Sequence, residues 1–460
     1  MIDLDFVKGK KIVVFGLGKA GMSSVRALSS SGANVIACDD SEFSMKSVEE
    51  LTLSNVLVQE LELIDWKKVE FLVLSPGVPL THPEPHKVVK LAKNAGCEII
   101  CDIELLYLAN LSSNFVGITG TNGKSTTTAL IGHILKSSGV NCSVGGNIGI
   151  AALELDRLGS DGTYVIEMSS YQLDLIKKTK FNISVWLNIT PDHLDRHGGI
   201  EGYISAKKHI FDEQSEGDIA IVGVDDDYSL GVYEELKKSS KVSNIIPISV
   251  DRVLERGVSV KDNLLIDNEN EVIEIEVSGI KTLQGKHNSQ NIAAAYAVAK
   301  YCGVAADDFI KAIKSFSGLP HRMQYVKEDK GIVYINDSKA TNAEAASKAL
   351  GTYDNIYWIL GGVAKSGGIE ELSKYFPKIK NAYLIGKAQD EFANTLEGKI
   401  EFLKCNDLEA AFANAKKDAE NSGEENSVVL LSPACASFDQ WANFEERGDA
   451  FIRCVNESIS

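Results

Sequence analysis

The stretch Thr119-Gly120-Thr121-Asn122-Gly123-Lys124-Ser125-Thr126 follows a short apolar run and leads into a helical pattern over 127–135. In such a loop backbone N–H groups cradle phosphates, the lysine reaches β and γ oxygens, and the serine hydroxyl suits Mg²⁺. Ile118 occupies the place of the first glycine in a strict phosphate-loop motif, yet the Gly-Lys-Ser-Thr core in this setting reads as a nucleotide loop. Two further strand candidates, 163–166 and 184–188, run into Glu167-Met168-Ser169-Ser170 and Thr190-Pro191-Asp192-His193. In a parallel sheet these ends open on the edge that carries the loop, so Ser125, Glu167 and His193 are expected to converge around triphosphate-bound Mg²⁺. Taken singly, Glu167 fits a helix-capping acid and His193 a loop histidine. Their shared place at strand ends joins them.

A second glycine cluster, Gly16-Leu17-Gly18-Lys19-Ala20-Gly21, also follows a strand and opens a helix, and Asp39 closes the next strand. This matches the dinucleotide fingerprint, and equally a bare strand-to-helix turn; either way a diphosphate fits here. His82/His86 and His193/His197 have i,i+4 spacing without the glutamate of a zinc-protease motif, and read as surface pairs. The 8 cysteines are scattered without a Cys-x-x-Cys pair, so reduced, mostly buried thiols are expected rather than a zinc site or disulfides.

The elements that must position these residues alternate between short apolar runs and helical stretches, the pattern of βαβ units and parallel sheets. The fold class is α/β, with three domains in series: 1–102 and 319–460 Rossmann-like, and 103–318 a phosphate-loop domain. Within the second, two β-rich stretches flanking Asp267-Asn268-Glu269-Asn270 suggest a small antiparallel hairpin beside the parallel sheet. A length of 460 residues suits about three domains. The 47 basic against 64 acidic residues, a formal charge of −17, argue against a nucleic-acid or anionic-membrane surface. The acidic start of the chain and the shortness of every apolar run point to a cytoplasmic protein.

Five motifs in order resemble the Mur ligases of peptidoglycan synthesis. They are the loop at 119–126, Glu167-Met168-Ser169-Ser170, Asp192-His193-Leu194-Asp195-Arg196, Gly285-x-His287-Asn288-x-x-Asn291 and Asp337-Ser338-Lys339-Ala340-Thr341-Asn342. Within the family, Ser432-Pro433-Ala434-Cys435-Ala436-Ser437-Phe438-Asp439-Gln440 and Gly16-Leu17-Gly18 look like the member that adds D-glutamate. The resemblance implies that ATP phosphorylates the carboxylate of UDP-N-acetylmuramoyl-L-alanine and that the D-glutamate amine then displaces phosphate. It implies two Mg²⁺ ions, held by Ser125, Glu167, His193 and Lys207, the last as a CO₂-derived carbamate. Catalysis then falls to Lys124, Glu167, His193 and Lys207. ATP contacts would be Gly120, Thr121, Asn122, Gly123, Lys124, Ser125, Thr126, Asn288, Asn291, Arg322, Asp337 and Lys339. The UDP substrate would meet Gly18, Lys19, Ala20, Asp39, Ser75, Gly77, Asn147 and His193. Ser41 stands where relatives can carry arginine. D-glutamate would meet Thr341, Lys365, Ser437, Phe438 and Phe444. Without the family, Lys207 reads as a solvated lysine like Lys208, Lys365 as a loop lysine and Phe444 as packing.

The expectation is thus an ATP-dependent ligase of small molecules, a monomer whose domains close on their ligands. An NAD(P) oxidoreductase built on residues 16–21 would leave Lys124, Glu167 and His193 idle. A silent nucleotide sensor would not need Lys207 and His193 together. A sister ligase, or folylpolyglutamate synthetase, shares the core but not the 432–440 stretch.

Overall fold

Three sheets occupy 11–100, 114–276 and 324–431 in a computed structural model that describes residues 1–239, 244–283, 285–364, 367–424 and 426–459. The chain divides into two compact units, Met1–Ser315 and Phe316–Ser460. The first unit holds two of the sheets. One is five-stranded and wholly parallel, with Lys11–Phe15 between Asn34–Cys38 and Phe71–Leu74. The other is nine-stranded, and its six strands from Asn114–Thr119 to Asn244–Ser249 pair in parallel. These strands are covered on both faces, which is why they read as unbroken apolar runs, Ile183–Trp186 being buried at every residue. One apolar cluster runs from Ile2 and Leu4 through Val13, Leu105 and Leu153 to Trp186, so the first two sheets share a core.

The antiparallel element differs from the expected hairpin. Asp262 and Asn263 both have positive φ, 50° and 63°, the requirement of a tight two-residue hairpin turn. They split the first β-rich stretch into Val258–Lys261 and Leu264–Asp267, which with Ile273–Glu276 form a three-stranded meander. It extends the large sheet through Asn244–Ser249 rather than standing beside it.

The second unit is a six-stranded sheet, parallel apart from Gln324–Asp329 at its edge. Its two faces carry separate apolar clusters, one around Trp358 and Leu430, the other around Tyr334 and Phe451. All eight cysteines are free, and five are buried.

Candidate functional site

The strand Asn114–Thr119 lies between Thr163–Glu167 and Ile183–Trp186, all parallel, so the phosphate loop, Glu167 and the 187–193 segment leave the sheet side by side. Gly123 has φ +83°, and a Cβ there would stand 2.5 Å from Asn291 Oδ1. Only glycine lets the loop close against that asparagine. The helix Lys124–Ser137 starts with no side-chain cap, leaving its first amides open to an anion. Lys124 Nζ donates to the carbonyls of Gly120 (2.9 Å) and Thr121 (2.7 Å), folding its ammonium over the loop. Asn291 accepts from Thr127 Oγ1 at 3.0 Å and donates to Asn288 Oδ1 at 2.9 Å, so both predicted asparagines adjoin the loop.

Glu167 is buried. Its Oε1 accepts from Asn147 Nδ2 at 2.9 Å, while Oε2 is buried with no hydrogen-bond partner. A bare buried carboxylate oxygen is costly unless a cation reaches it, and at a strand end next to the one that leads into the phosphate loop it fits Mg²⁺. Among the described residues no three His, Cys, Asp or Glu side chains form a metal cluster. His193 sits half-exposed at φ +51°, with Nε2 3.6 Å from Asp192 Oδ2.

Lys207 is buried, unlike the solvated lysine of the family-free reading. It lies on the helix Ile200–Lys208, and its Nζ donates to Gly120 O at 2.9 Å and Thr119 Oγ1 at 3.3 Å. Burial, and then the like charge of Lys124, hold its amine well below the ordinary lysine range. His197 is buried as well, so its pairing with His193 is not a surface feature. Its Nε2 lies 2.9 Å from Ser170 Oγ and its Nδ1 3.4 Å from Asp174 Oδ2.

At the first sheet, Gly16 has φ +89° and Gly21 packs onto Gly16 O, where a Cβ would approach to 1.9 Å. Asp39 accepts from the backbone N–H of Leu17 and of Ser41, and the Ser75 hydroxyl donates to Gly16 O. Both side chains thereby shape the turn. Gly18 caps the helix Lys19–Ser30 without a side chain, leaving open amides at Ala20 and its neighbours. Lys19 Nζ donates to Gly149 O, and Gly77 faces open space.

In the second unit the parallel strands Ile332–Asn336 and Ser427–Leu431 end side by side; Asp337, Ser338, Lys339 and Thr341 follow the first, and Ser437 and Phe438 follow the second. Asp337 is buried; Oδ1 accepts from Met323 N (3.0 Å) and Oδ2 from Ser432 Oγ (2.8 Å), so it braces two loops. Arg322 is exposed next to His321, and Lys339 Nζ lies 5.8 Å from the centre of the Phe444 ring. Phe444 opens the helix Phe444–Ser458 and packs edge-on against His321. Ser437 is buried and Phe438 is 74 % exposed. Lys365 lies outside the described residues.

Three supporting residues escaped the sequence reading. Asn188 holds the loop by accepting from Asn122 N (2.9 Å) through its side chain and from Thr121 N through its carbonyl. Gln290 then accepts from Asn188 Nδ2 at 2.7 Å. Both stand inside motifs already singled out, at a strand end and in the Gly285–Asn291 run. Arg447, wholly buried, donates to Ser338 Oγ, Ser338 O and Cys435 O and forms no ion pair among the described residues. Nothing in its local sequence marks it.

The chain matches three family descriptions in succession: "Mur ligase MurD-like, N-terminal domain" over 10–101, "Mur ligase middle domain" over 118–299 and "Mur ligase, glutamate ligase domain" over 321–435. It is 46 % identical to the UDP-N-acetylmuramoylalanine--D-glutamate ligase of Paramagnetospirillum magneticum, over 99 % of this chain and 98 % of that one. The protein of the same name from Rickettsia bellii is 47 % identical, over 98 % of both. Among solved structures, the UDP-N-acetylmuramate-alanine ligase of Thermotoga maritima aligns with a TM-score of 0.56 at 18 % identity, over 97 % of this chain and 99 % of that one. The MurF ligase of the same organism, solved with ADP, gives 0.54 at 18 % identity, over 100 % and 98 %. These two share the fold. With every motif in family order and relatives nearly half identical from end to end, the chain belongs to the Mur ligase family.

Proposed function

We propose that the protein is an ATP-dependent amide ligase that adds D-glutamate to UDP-N-acetylmuramoyl-L-alanine in peptidoglycan precursor synthesis. The observation that carries the reading is the phosphate loop set beside Glu167, a buried carboxylate with one oxygen bare, in a chain whose full-length relatives carry that ligase name. A carboxylate oxygen of the UDP substrate attacks the γ-phosphorus of ATP, and the bond to ADP breaks. The amine of D-glutamate adds to the resulting acyl phosphate, loses a proton, and the tetrahedral intermediate expels phosphate to leave the amide.

Two anions meet in the first step, so the site must supply positive potential where charge accumulates. The open amides at Lys124–Ser137 and the Lys124 ammonium do this for the β and γ oxygens. Ser125 and Glu167 would hold Mg²⁺, which would neutralise phosphate charge when bound, and His193 and Lys207 would serve a second ion. An ammonium cannot ligate a cation. Lys207, held below its ordinary basicity, is suited to add its nitrogen lone pair to CO₂ and release a proton, giving an oxygen-donor carbamate. Loss of activity in Lys207→Ala, eased by short carboxylic acids, is the expected signature; full activity in that variant would refute it.

The open turn at Gly18 is assigned to the UDP diphosphate, and Thr341, Ser437 and Phe438 to D-glutamate. Phosphate release with UDP-N-acetylmuramoyl-L-alanine, measured with D-glutamate against L-glutamate, L-lysine and diaminopimelate, tests the whole reading. Turnover with another amino acid alone overturns the specificity, and none with any overturns the activity. No helix among the described residues is long and apolar enough to cross a membrane. Nucleotide substrates place the work in the cytoplasm, and we assign a monomer; light scattering at twice the chain mass would refute that.

A further inference from the structure

His197, a buried histidine that the proposed chemistry leaves unused, sits within a continuous series of ring contacts. The His193 ring lies 5.3 Å from Tyr171, inclined by 51°. Tyr171 lies 5.3 Å from His197 and nearly parallel to it, at 10°. His197 lies 5.5 Å from Tyr203, and Lys207 Nζ stands 4.7 Å from the centre of the Tyr203 ring. The stack thus joins His193 to Lys207, the two groups assigned to the second cation. These spacings fall within the range of attractive ring contacts.

The stack is fixed at Tyr171, His197 and Tyr203. His197 is tied to Ser170 and Asp174, in the segment that follows Glu167. The helix Ile200–Lys208 packs so tightly on the His197 carbonyl that a Cβ on Gly202 would approach it to 1.9 Å. Tyr203 OH meets Thr121 Oγ1 of the phosphate loop at 3.2 Å. The Arg196 guanidinium lies 4.8 Å from the centre of the Tyr171 ring. His193, by contrast, is half-exposed and in the left-handed region, where a non-glycine residue stays only if its surroundings hold it.

We propose that Tyr171 and His197 are positioning residues: their stacked rings hold His193 and Lys207 in one rigid frame, so that the second divalent cation meets both ligands in place. The proposal rests on the ligase reading for its kinetic arm but not for its binding arm. Tyr171→Leu removes the ring, while Tyr171→Phe and His197→Phe keep one.

The binding arm follows Mn²⁺ by electron paramagnetic resonance on protein with ADP alone, without turnover. The kinetic arm follows kcat, the KM for ATP and the Mg²⁺ dependence. Ligand-supporting residues of this kind typically govern roughly 10–100-fold in metal affinity or activity. Tyr171→Leu should weaken the second Mn²⁺ and lower kcat by about that factor. Its KM for ATP and its melting midpoint should stay near native, and both Phe variants should hold Mn²⁺ close to native affinity. If Tyr171→Leu loses its cooperative melt, Tyr171→Met replaces it under the same outcomes. Native Mn²⁺ affinity in the ring-less variant, or equal damage in Tyr171→Phe, overturns the proposal. Absence of turnover in the native protein counts instead against the ligase reading and leaves the binding arm to decide.

Discussion

Replacing Asp337 by asparagine should stabilise the protein at pH 8 and leave it unchanged near pH 4. Asp337 is 4 % exposed. Burial pushes its carboxyl from 3.8 up to about 7, against the opposing pull of the Ser432 hydroxyl, the Met323 amide and the Arg322 charge. The unfolded chain releases this proton near pH 4, and the folded one keeps it to about pH 7. Stability is therefore full below about pH 4, falls as the pH rises to about 7, and stays reduced above it. A proton-affinity difference of about a thousandfold corresponds to about 4 kcal/mol. In Asp337→Asn the new side chain can make the same two hydrogen bonds, its amide oxygen accepting from Met323 N and its NH₂ donating to Ser432 Oγ, with nothing to ionise. The advantage of Asp337→Asn should grow by about 2 kcal/mol between pH 5.5 and 7 and then level off. At pH 8 the whole difference of about 4 kcal/mol is a rise of roughly 8–16 °C in the melting midpoint of the second unit. Scanning calorimetry of both proteins across that range checks it. Parallel curves of midpoint against pH would refute the buried-acid argument. Because Asp337 is also assigned to the nucleotide, activity should fall as stability rises.

Three other substitutions test separate parts of the framework. Glu104 is buried and accepts from the backbone N–H of Lys177, Lys178 and Thr179 and from Thr179 Oγ1; Glu104→Ala orphans all four donors and should cost about 3–5 kcal/mol in urea unfolding. Gly123→Ala drives a Cβ against Asn291 Oδ1 in a left-handed position, so ATP affinity by calorimetric titration should drop about tenfold or more, with a stability loss of about 1–2 kcal/mol. Arg447→Met relieves a buried charge whose side chain is pushed down to about 10 but leaves Ser338 O and Cys435 O without donors; a net loss of about 2–4 kcal/mol in the second unit is expected, and an unchanged urea midpoint would contradict it.

What was legible in the sequence follows from how local each signal is. The strand–loop–helix at 114–137 and the Glu167 strand end could be read because apolar runs, glycines and a lysine lie within a few residues of one another. The meander at 258–276 was half-read: the Asp267–Asn270 turn stood out, whereas the Asp262-Asn263 turn interrupts an apolar stretch with only two residues. Burial of His197 and Lys207 was invisible, because it depends on segments distant in the chain, the one after Glu167 for His197 and the phosphate loop for Lys207. Arg447 was invisible for the same reason, its acceptors lying at Ser338, 109 residues earlier, and at Cys435. Asp39 was read in part. Its spacing marked it as part of a diphosphate turn, and its two oxygens also accept backbone amides of the turns around it, a bracing role that the spacing alone does not reveal.

The formal charge of −17 argues against a polyanion-binding surface but not against a polyanion-binding loop, and the reason is one of distance. Exposed acids beyond about 8 Å are largely screened at physiological salt, while open amides and the Lys124 ammonium act at contact. The site also holds two groups in states that folding alone disfavours. Glu167 keeps a buried oxygen without a partner, and Lys207 is buried where its ammonium form is disfavoured. A cation would relieve the first, and the proposed conversion of the amine to a carbamate paired with a second cation would relieve the second. Each ligand removes a penalty left by the free protein, so binding should stabilise this loop more than its few hydrogen bonds suggest. The same strain that lowers the stability of the empty site therefore raises its selectivity for ligands that bring a divalent cation with them.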